Sequence, residues 1–427
     1  MFSFCKNLAD IKFNDSTLTK YLENMEHIFD SCISLKYINT AIFKSNKLIN
    51  LNYVFKNCSS LIEIDLSNFE SKNITEFKET FYECNKLENI NFTNFGTSKV
   101  TRMDKMFYNC TSLKYLNISS FYLENLINAG YMFYSCKNLK LIEFNKNTIT
   151  KNLEDMSNIF DSCNSLKEIN TKIFKENKLT NLNYVFKNCI SLNKIDLSCF
   201  ESKNITELNE AFYNCQNLIN INFSNFYLAK AKTIIKIFYN CTRLRNINFS
   251  MTNARYIIDA SFAFSGCTYL KSVTLPDGMI FLESIENMFQ GCSSLTSIDL
   301  GFLNGVFQLN ACRGMFQGCS NLKEVNFPFI KRSSGLLDMS DMFKGCNNLE
   351  RANLERLNFV FPLIYNMKSM FSGCENLTYL NILNLNTMIT FIVQDIFKDV
   401  QKKVKVEYNP IITSENLKSE IEKIAKN

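Results

Sequence analysis

Cysteine is the residue type in this chain whose spacing most invites a chemical interpretation. The 427 residues include 17 cysteines, a single histidine and no tryptophan. Cysteine thiolates can ligate zinc, form disulfides or act as nucleophiles. A zinc site requires cysteine or histidine pairs at short spacing, such as Cys-x-x-Cys, and the sequence contains no such pair. The cysteines recur singly, about every 26 residues, so we expect no bound metal.

Other residue patterns typical of catalysis are also missing from the sequence. His27 is the one histidine, which leaves little room for a histidine-based triad or metal site. Glycine is sparse, and neither nucleotide-binding fingerprint occurs. The carboxylates are scattered and do not form repeated opposed pairs. We therefore expect no enzyme activity, no catalytic residues and no cofactor.

The cysteines belong to a repeated phrase, Phe-x-x-Cys-x-x-Leu-x-x-Ile-x-(Leu/Phe), of which Phe55 to Leu66 is a clean copy. A sixteenth copy keeps Phe397 but has Val400 in the cysteine position. A fixed period between about 20 and 50 residues indicates a solenoid, a propeller or an array. The repeat cysteines are Cys5, Cys32, Cys58, Cys84, Cys110, Cys136, Cys163, Cys189, Cys215, Cys241, Cys267, Cys292, Cys319, Cys346 and Cys374.

Each repeat combines a helical period with a strand period. Met103, Met106, Phe107 and Cys110 have the i, i+3, i+4, i+7 spacing of one helix face. The residue before the cysteine is asparagine in earlier repeats and glycine in later ones, which favours a left-handed helix end there. The segment Ile90-Asn91-Phe92 then alternates as a strand does.

These periods predict an α/β repeat solenoid. Stacked repeats would bury one continuous core, which a single repeat cannot do alone. We expect about sixteen coils of 25–28 residues, one long parallel sheet, and short helical turns on the opposite side. The repeat cysteines would form a structural row of small buried side chains. A disulfide framework is the alternative, but parallel side chains on adjacent coils have poor disulfide geometry. The clearest members of the row are Cys58, Cys84, Cys110, Cys189, Cys215 and Cys241.

One copy, Met288-Phe289-Gln290-Gly291-Cys292-Ser293-Ser294-Leu295-Thr296-Ser297-Ile298-Asp299-Leu300, resembles the BspA-like leucine-rich-repeat surface proteins. Gly96 to Phe107 is similar to the return loop of that family's repeat. The resemblance covers nearly the whole chain. It implies a leucine-rich-repeat solenoid that binds a partner or mediates adhesion at a cell surface, without catalytic residues.

The domain prediction is a solenoid over residues 1–409 followed by a C-terminal capping helix over residues 410–427. Leu417, Ile421 and Ile424 form one apolar stripe, with acidic residues early and lysines late in the segment. An amphipathic helix that binds a partner is the alternative interpretation of this segment.

The outward positions of the strands are the candidate binding residues. The position seven residues after the cysteine carries asparagine or, as at Asp65, aspartate. The position five residues after it carries tyrosine or, as at Glu63, glutamate. One interpretation is an amide ladder that stabilises the stack, and the other is a partner-binding face. The partner-binding candidates are Tyr37, Asn91, Tyr115, Asn117, Asn170, Asn222, Asn248 and Tyr379.

Charge and hydropathy restrict the partners and the location. A net charge of +6 spread over the chain is not the basic stripe of a nucleic-acid-binding protein. No apolar run approaches the ~18 residues of a transmembrane segment. The start, Met1 to Lys6, lacks the features of a signal peptide. The family resemblance implies a cell-surface location, whereas a complete chain without a signal peptide would be cytoplasmic.

We therefore expect a non-enzymatic binding or adhesion scaffold that recognises a protein or glycan through the solvent-facing side of its sheet. The alternative function is an intracellular protein–protein interaction scaffold.

Overall fold

The fold is a parallel β-solenoid with few helices, which confirms the predicted fold class. The computed structural model describes every residue except 1, 14–18, 20, 44, 46, 70, 250–252, 331–336, 358–363, 386, 388–389, 391 and 427. The solenoid makes about 14 turns, slightly fewer than the coils counted in the sequence. The chain divides into two compact units, Met1–Asn204 and Ile205–Asn427.

The first unit contains short parallel strands, one in most of its coils. Equivalent residues of neighbouring coils pair directly, so that Glu63 pairs with Asn89 and Asp65 with Asn91. The ladders join β1 to β2, β3 to β4 and β5 to β6. A short 3₁₀ helix covers Thr171–Phe174. The strands are β1 (Asp10–Ile11), β2 (Tyr37–Ile38), β3 (Glu63–Asp65), β4 (Asn89–Asn91), β5 (Tyr115–Ile118), β6 (Leu141–Phe144) and β7 (Lys194–Asp196).

The second unit repeats this arrangement and ends in an α-helix. Its ladders join β9 to β10, β12 to β14, and β11, β13, β15 and β16 in that order. A 3₁₀ helix covers Gly301–Leu303. The other elements are β8 (Asn220–Asn222), β9 (Asn246–Asn248), β10 (Ser272–Thr274), β11 (Glu324–Asn326), β12 (Leu337–Asp338), β13 (Arg351–Asn353), β14 (Ile364–Asn366), β15 (Tyr379–Asn381), β16 (Lys405–Glu407) and α1 (Glu415–Lys426).

The segment before each cysteine forms consecutive turns in place of a continuous helical turn. The Met106 amide donates to the Met103 carbonyl (3.2 Å), whereas the Phe107 amide donates to Met132 of the next coil (2.8 Å). Two residues per coil, such as Lys105 (φ 55°) and Asn109 (φ 59°), have left-handed backbone conformations. These conformations turn alternate amides towards the next coil, so the segment becomes a second ladder between coils.

A row of phenylalanines, three residues before the cysteines, fills the core of each unit. In the first unit, Phe81 stacks on Phe107 with ring centroids 5.7 Å apart and planes 3° apart. In the second unit, Phe343 stacks on Phe316 at 5.6 Å and on Phe371 at 5.3 Å. Offset parallel rings at this separation are favourable beyond their burial alone. The rings therefore stack from coil to coil within each unit.

The cysteine row lies in the interior, and its thiols donate to the same kind of group, the carbonyl of a phenylalanine in the preceding coil. Cys58, Cys84, Cys110, Cys189, Cys215 and Cys241 are fully buried. The Cys84 thiol donates to the Phe55 carbonyl of the preceding coil (3.0 Å), and Cys110 does the same to Phe81 (3.1 Å). A thiol is small enough for this position and can still donate weakly to a buried carbonyl, which alanine cannot. Burial raises the pKa of Cys136 to about 12, against a lesser lowering by a hydrogen bond from Cys110.

Thiol titration should separate two cysteines from the other fifteen. Cys5 is exposed and Cys199 is half-buried, whereas the other fifteen cysteines are buried, and none of the 17 forms a disulfide. We expect the disulfide reagent DTNB to react quickly with two thiols of the native protein, and with all 17 after denaturation, because reactivity needs an accessible thiolate. Pairing of most cysteines in disulfides would contradict this assignment.

Helix α1 buries the predicted apolar stripe. Leu417, Ile421 and Ile424 are each less than one-tenth exposed, and the Val404 amide donates to the Ile424 carbonyl (3.4 Å). The Ser414 hydroxyl accepts from the Leu417 amide (3.4 Å) and so caps the helix start. The division at residue 409 stays a prediction. Over the described residues, no helix has both the length and the apolar character needed to cross a bilayer.

Candidate functional site

A groove of about 550 Å³ lies on the solvent-facing side of the sheet in the first unit. Strands β2 to β5 build it, because their alternation turns one residue inward and the residues on either side outward. Isoleucines from three of these strands form the floor. The outward side chains that line the groove are Tyr37, Glu63, Asp65, Asn89, Asn91, Tyr115 and Asn117.

Two tyrosines stand at opposite ends of the groove. Tyr37 is on β2 and is 49% exposed, and Tyr115 is on β5 and is 45% exposed. The Tyr115 hydroxyl forms a hydrogen bond with Oε2 of Glu143 in the next coil. This bond raises the pKa of Tyr115, and burial adds to the effect. Both rings therefore offer a face to a ligand, and that of Tyr115 is held in position.

The residues seven positions after the cysteine cap turns. The Asn91 Oδ1 atom accepts from the Thr93 amide (3.0 Å), and Asn117 Oδ1 accepts from the Ser119 amide (2.9 Å). Asp65 accepts likewise from Ser67 (2.8 Å). Asparagine and aspartate favour this local turn because the side chain reaches its own backbone two residues later. The row thus has a structural role that neither the amide-ladder nor the binding interpretation included.

The groove carries negative charge and polar groups that are free to bind. Burial raises the pKa of Asp65, but hydrogen bonds from Ser67 and Asn91 outweigh it and lower that pKa overall, so Asp65 is ionised at neutral pH. Within the described part of the chain, the side chains of Tyr37, Glu63 and Asn89 have no hydrogen-bond partner. No lysine or arginine lines the groove.

The groove brings together four of the eight predicted binding residues, Tyr37, Asn91, Tyr115 and Asn117. The others lie elsewhere. Asn170 caps the 3₁₀ helix of the first unit by accepting from the Lys172 amide (3.2 Å). In the second unit, Asn222 and Asn248 lie exposed on β8 and β9, and Tyr379 lies on β15.

Two residues of this site, Asn89 and Glu143, were not among the candidates predicted from the sequence. Asn89 occupies the tyrosine position of its coil, five residues after Cys84, and contributes directly to the groove. Glu143 is 28 residues from Tyr115, so only an alignment of successive repeats could have suggested their contact. Among the described residues, no group of histidine, cysteine, aspartate and glutamate side chains could hold a metal ion.

The fold and the repeat define a leucine-rich-repeat solenoid. The chain belongs to the family described as "Mycoplasma protein of unknown function, DUF285", whose model matches residues 23–147, 154–275 and 337–406. Residues 231–358 also match the BspA-type leucine-rich-repeat region in six copies, which confirms the resemblance seen in the sequence. No curated protein matched the sequence significantly.

Solved structures with this fold are of distant sequence. A leucine-rich repeat protein from Bacteroides ovatus is 20% identical over 85% of this chain and 88% of that chain, with a TM-score of 0.53. A leucine-rich cell surface protein from Faecalibacterium prausnitzii is 17% identical over 72% and 83%, with a TM-score of 0.35. The Drosophila Toll–Spatzle complex is 19% identical over 78% and 41%, with a TM-score of 0.30. Leucine-rich-repeat proteins are generally protein-interaction scaffolds and are typically non-catalytic.

Proposed function

We propose that this chain is a non-enzymatic scaffold that binds a protein partner in the sheet-face groove of its first unit. The observation that supports this is a groove between two half-exposed tyrosines, Tyr37 and Tyr115. Tyrosine is frequent among the residues that dominate binding energy, because its ring is large and loses little conformational freedom. Adhesion at a cell surface is the biological setting that the family resemblance suggests.

The charge of the groove favours a protein over a neutral glycan. Glu63 and Asp65 place two carboxylates in the groove, and no cationic residue lines it. A cationic polypeptide segment offers the complementary charge. A neutral sugar presents hydroxyl groups alone and would leave these carboxylates without a counter-charge.

Site-specific photocrosslinking tests this function. A photoreactive phenylalanine analogue in place of Tyr37 lies in the groove and keeps an aromatic ring there, and the same analogue in place of Tyr122, which is 58% exposed, lies outside the groove. We expect a protein from the source cells to crosslink at position 37 and not at position 122, and excess wild-type chain to suppress the product. Equal crosslinking at both positions, or a crosslinked glycan, would contradict the proposal.

Removing the two carboxylate charges of the groove should weaken the binding of the crosslinked partner. The double variant Glu63→Gln/Asp65→Asn keeps the shape of the groove, and the asparagine can still accept from Ser67 as Asn91 does from Thr93. Two exposed charge contacts at up to ~1 kcal/mol each predict a loss of affinity of up to about 30-fold at low salt. Titration calorimetry at two salt concentrations measures this loss, which salt should reduce.

The matched control removes the same charge outside the groove. Glu124→Gln/Glu176→Gln alters two exposed carboxylates of the same unit, whose partners are Lys151 and Lys175. We expect the control to bind as the wild type does. An equal loss in both double variants would mean that net charge, not the groove, controls the affinity.

A further inference from the structure

Two tyrosines occupy the same position in different coils and share the same kind of carboxylate partner. Tyr115 lies five residues after Cys110, and Tyr379 lies five residues after Cys374. The Tyr115 hydroxyl forms a hydrogen bond with Glu143, and the Tyr379 hydroxyl donates to Oε2 of Glu407 at 2.9 Å. Each glutamate is on the following strand, two residues beyond the one that pairs with the tyrosine. The second unit therefore provides a template for the surroundings of Tyr115.

In that template, cations cover the tyrosine ring. Arg351 pairs with Tyr379 from the preceding strand, and its guanidinium carbon lies 4.2 Å from the ring centroid. Lys405 pairs with Tyr379 from the following strand, with its Nζ atom 5.7 Å from the centroid. The Lys405 ammonium also forms an ion pair with Glu407 at 2.8 Å. The ring and its carboxylate are thus both matched by positive charge within the chain.

Around Tyr115 the equivalent positions are uncharged. Asn89 takes the position of Arg351, and Leu141 takes the position of Lys405. The groove opens over Asn89 and Tyr115, and the Tyr115 residue remains 45% exposed. Among the described residues, Glu143 has no ion pair. The first unit therefore has the tyrosine ring and the glutamate found around Tyr379, but it lacks the two cations.

We propose that the groove binds an arginine side chain of the partner, stacked on Tyr115 in the position that Arg351 takes over Tyr379. This inference rests on the proposed function, because it names the group that the partner inserts. Arginine fits better than lysine, since its flat guanidinium stacks on an aromatic ring while its edge donates to carboxylates. Glu143 is next to the ring, and Glu63 and Asp65 lie further along the groove.

Because Tyr115 and Tyr379 occupy equivalent positions, one substitution can block the site over Tyr115 and another can uncover Tyr379. Asn89→Arg supplies the first unit with the arginine that the second unit has, so it should fill the site over Tyr115. Arg351→Asn gives the second unit the uncharged neighbour that the first has, so it should expose one face of Tyr379. Both exchanged residues are exposed, which keeps their effect on folding small.

The experiment measures binding of N-acetyl-arginine methylamide by ligand-observed NMR, with the neutral citrulline analogue as the control probe. Guanidinium–ring and guanidinium–carboxylate contacts should make the arginine probe bind at least about tenfold more tightly than citrulline. We expect Asn89→Arg and Tyr115→Ala to abolish saturable binding to the first unit. Arg351→Asn combined with Lys405→Leu, which also removes the cation paired with Glu407, should add a second site, and Tyr122→Ala should change nothing.

Three results would overturn the inference. These are equal binding of the two probes, unchanged arginine binding in Asn89→Arg, and arginine binding that survives Tyr115→Ala. Failure here is distinct from failure of the proposed function. If a partner crosslinks at position 37 but the arginine and citrulline probes bind equally, the scaffold function stands and the arginine subsite does not. Saturable arginine binding without any crosslinked partner would leave the subsite in place and remove the function.

Discussion

Replacing Phe343 with alanine should lower the free energy of unfolding of the second unit by about 3–5 kcal/mol. The Phe343 side chain is fully buried, and its ring stacks on Phe316 and Phe371 in the two neighbouring coils. The alanine would leave a cavity between coils whose spacing is fixed by backbone hydrogen bonds, so that little collapse can compensate. Urea unfolding followed by circular dichroism measures the loss.

A phenylalanine outside the core provides the matched control. Phe329 lies in the same unit and is 48% exposed, so Phe329→Ala should change the stability by less than ~1 kcal/mol. Coils of a solenoid contact their neighbours alone and can unfold locally. Hydrogen exchange should therefore show that Phe343→Ala loses protection mainly in the coils between residues 316 and 371. A uniform loss over the chain, or equal effects of the two substitutions, would mean that the ring stack does not hold the coils together.

The repeat explains why so much of the fold could be predicted from the sequence. A period of about 26 residues fixes which residues become neighbours in adjacent coils, so one local pattern predicts many long-range contacts. The alternation around Ile64 or Leu116 predicts which side chains point inward. The left-handed position before the cysteine was predicted from its asparagine or glycine, and Asn109 (φ 59°) and Gly291 (φ 72°) confirm it.

The second left-handed position could not be predicted from residue type. Tyr53 (φ 59°) and Phe262 (φ 58°) adopt it although bulky side chains rarely do. Hydrogen bonds to the next coil provide the compensation, since the Tyr53 amide donates to the Lys78 carbonyl (3.0 Å) and the Phe262 amide to Glu286 (2.8 Å). Tertiary structure therefore overrides local preference here, which is why a helical turn was predicted where a second ladder forms.

The sequence predicted the positions of the site residues on the sheet better than it predicted their contacts. Outward alternation identified the positions of Tyr37, Asn91, Tyr115 and Asn117. It could not show that Asn91 caps its own turn, because that contact depends on the backbone path after the strand. It also could not show where a groove forms. That depends on side-chain sizes in neighbouring coils, and the short Asn89 next to Tyr115 opens space that Arg351 covers next to Tyr379.

Removing both groove tyrosines should nearly abolish partner binding. Alanine at a tyrosine that dominates an interface typically costs ~2 kcal/mol or more, so Tyr37→Ala/Tyr115→Ala predicts a loss of several hundredfold. Both side chains are about half exposed, so the variant should fold as the wild type does. Titration of the crosslinked partner with each variant measures the loss. The control Tyr122→Ala/Tyr269→Ala removes two tyrosines that are each 58% exposed and do not line the groove.

Phenylalanine at the same two positions separates the ring from the hydroxyl. The Tyr115 hydroxyl is already bonded to Glu143, whereas the Tyr37 hydroxyl has no partner among the described residues. If the rings provide the affinity, Tyr37→Phe/Tyr115→Phe should retain most of the binding that the alanine variant loses. A loss with phenylalanine as large as that with alanine would assign the affinity to the hydroxyls and favour a hydrogen-bonding ligand over a stacked cation. Unchanged binding in the alanine variant would mean that the partner uses another surface.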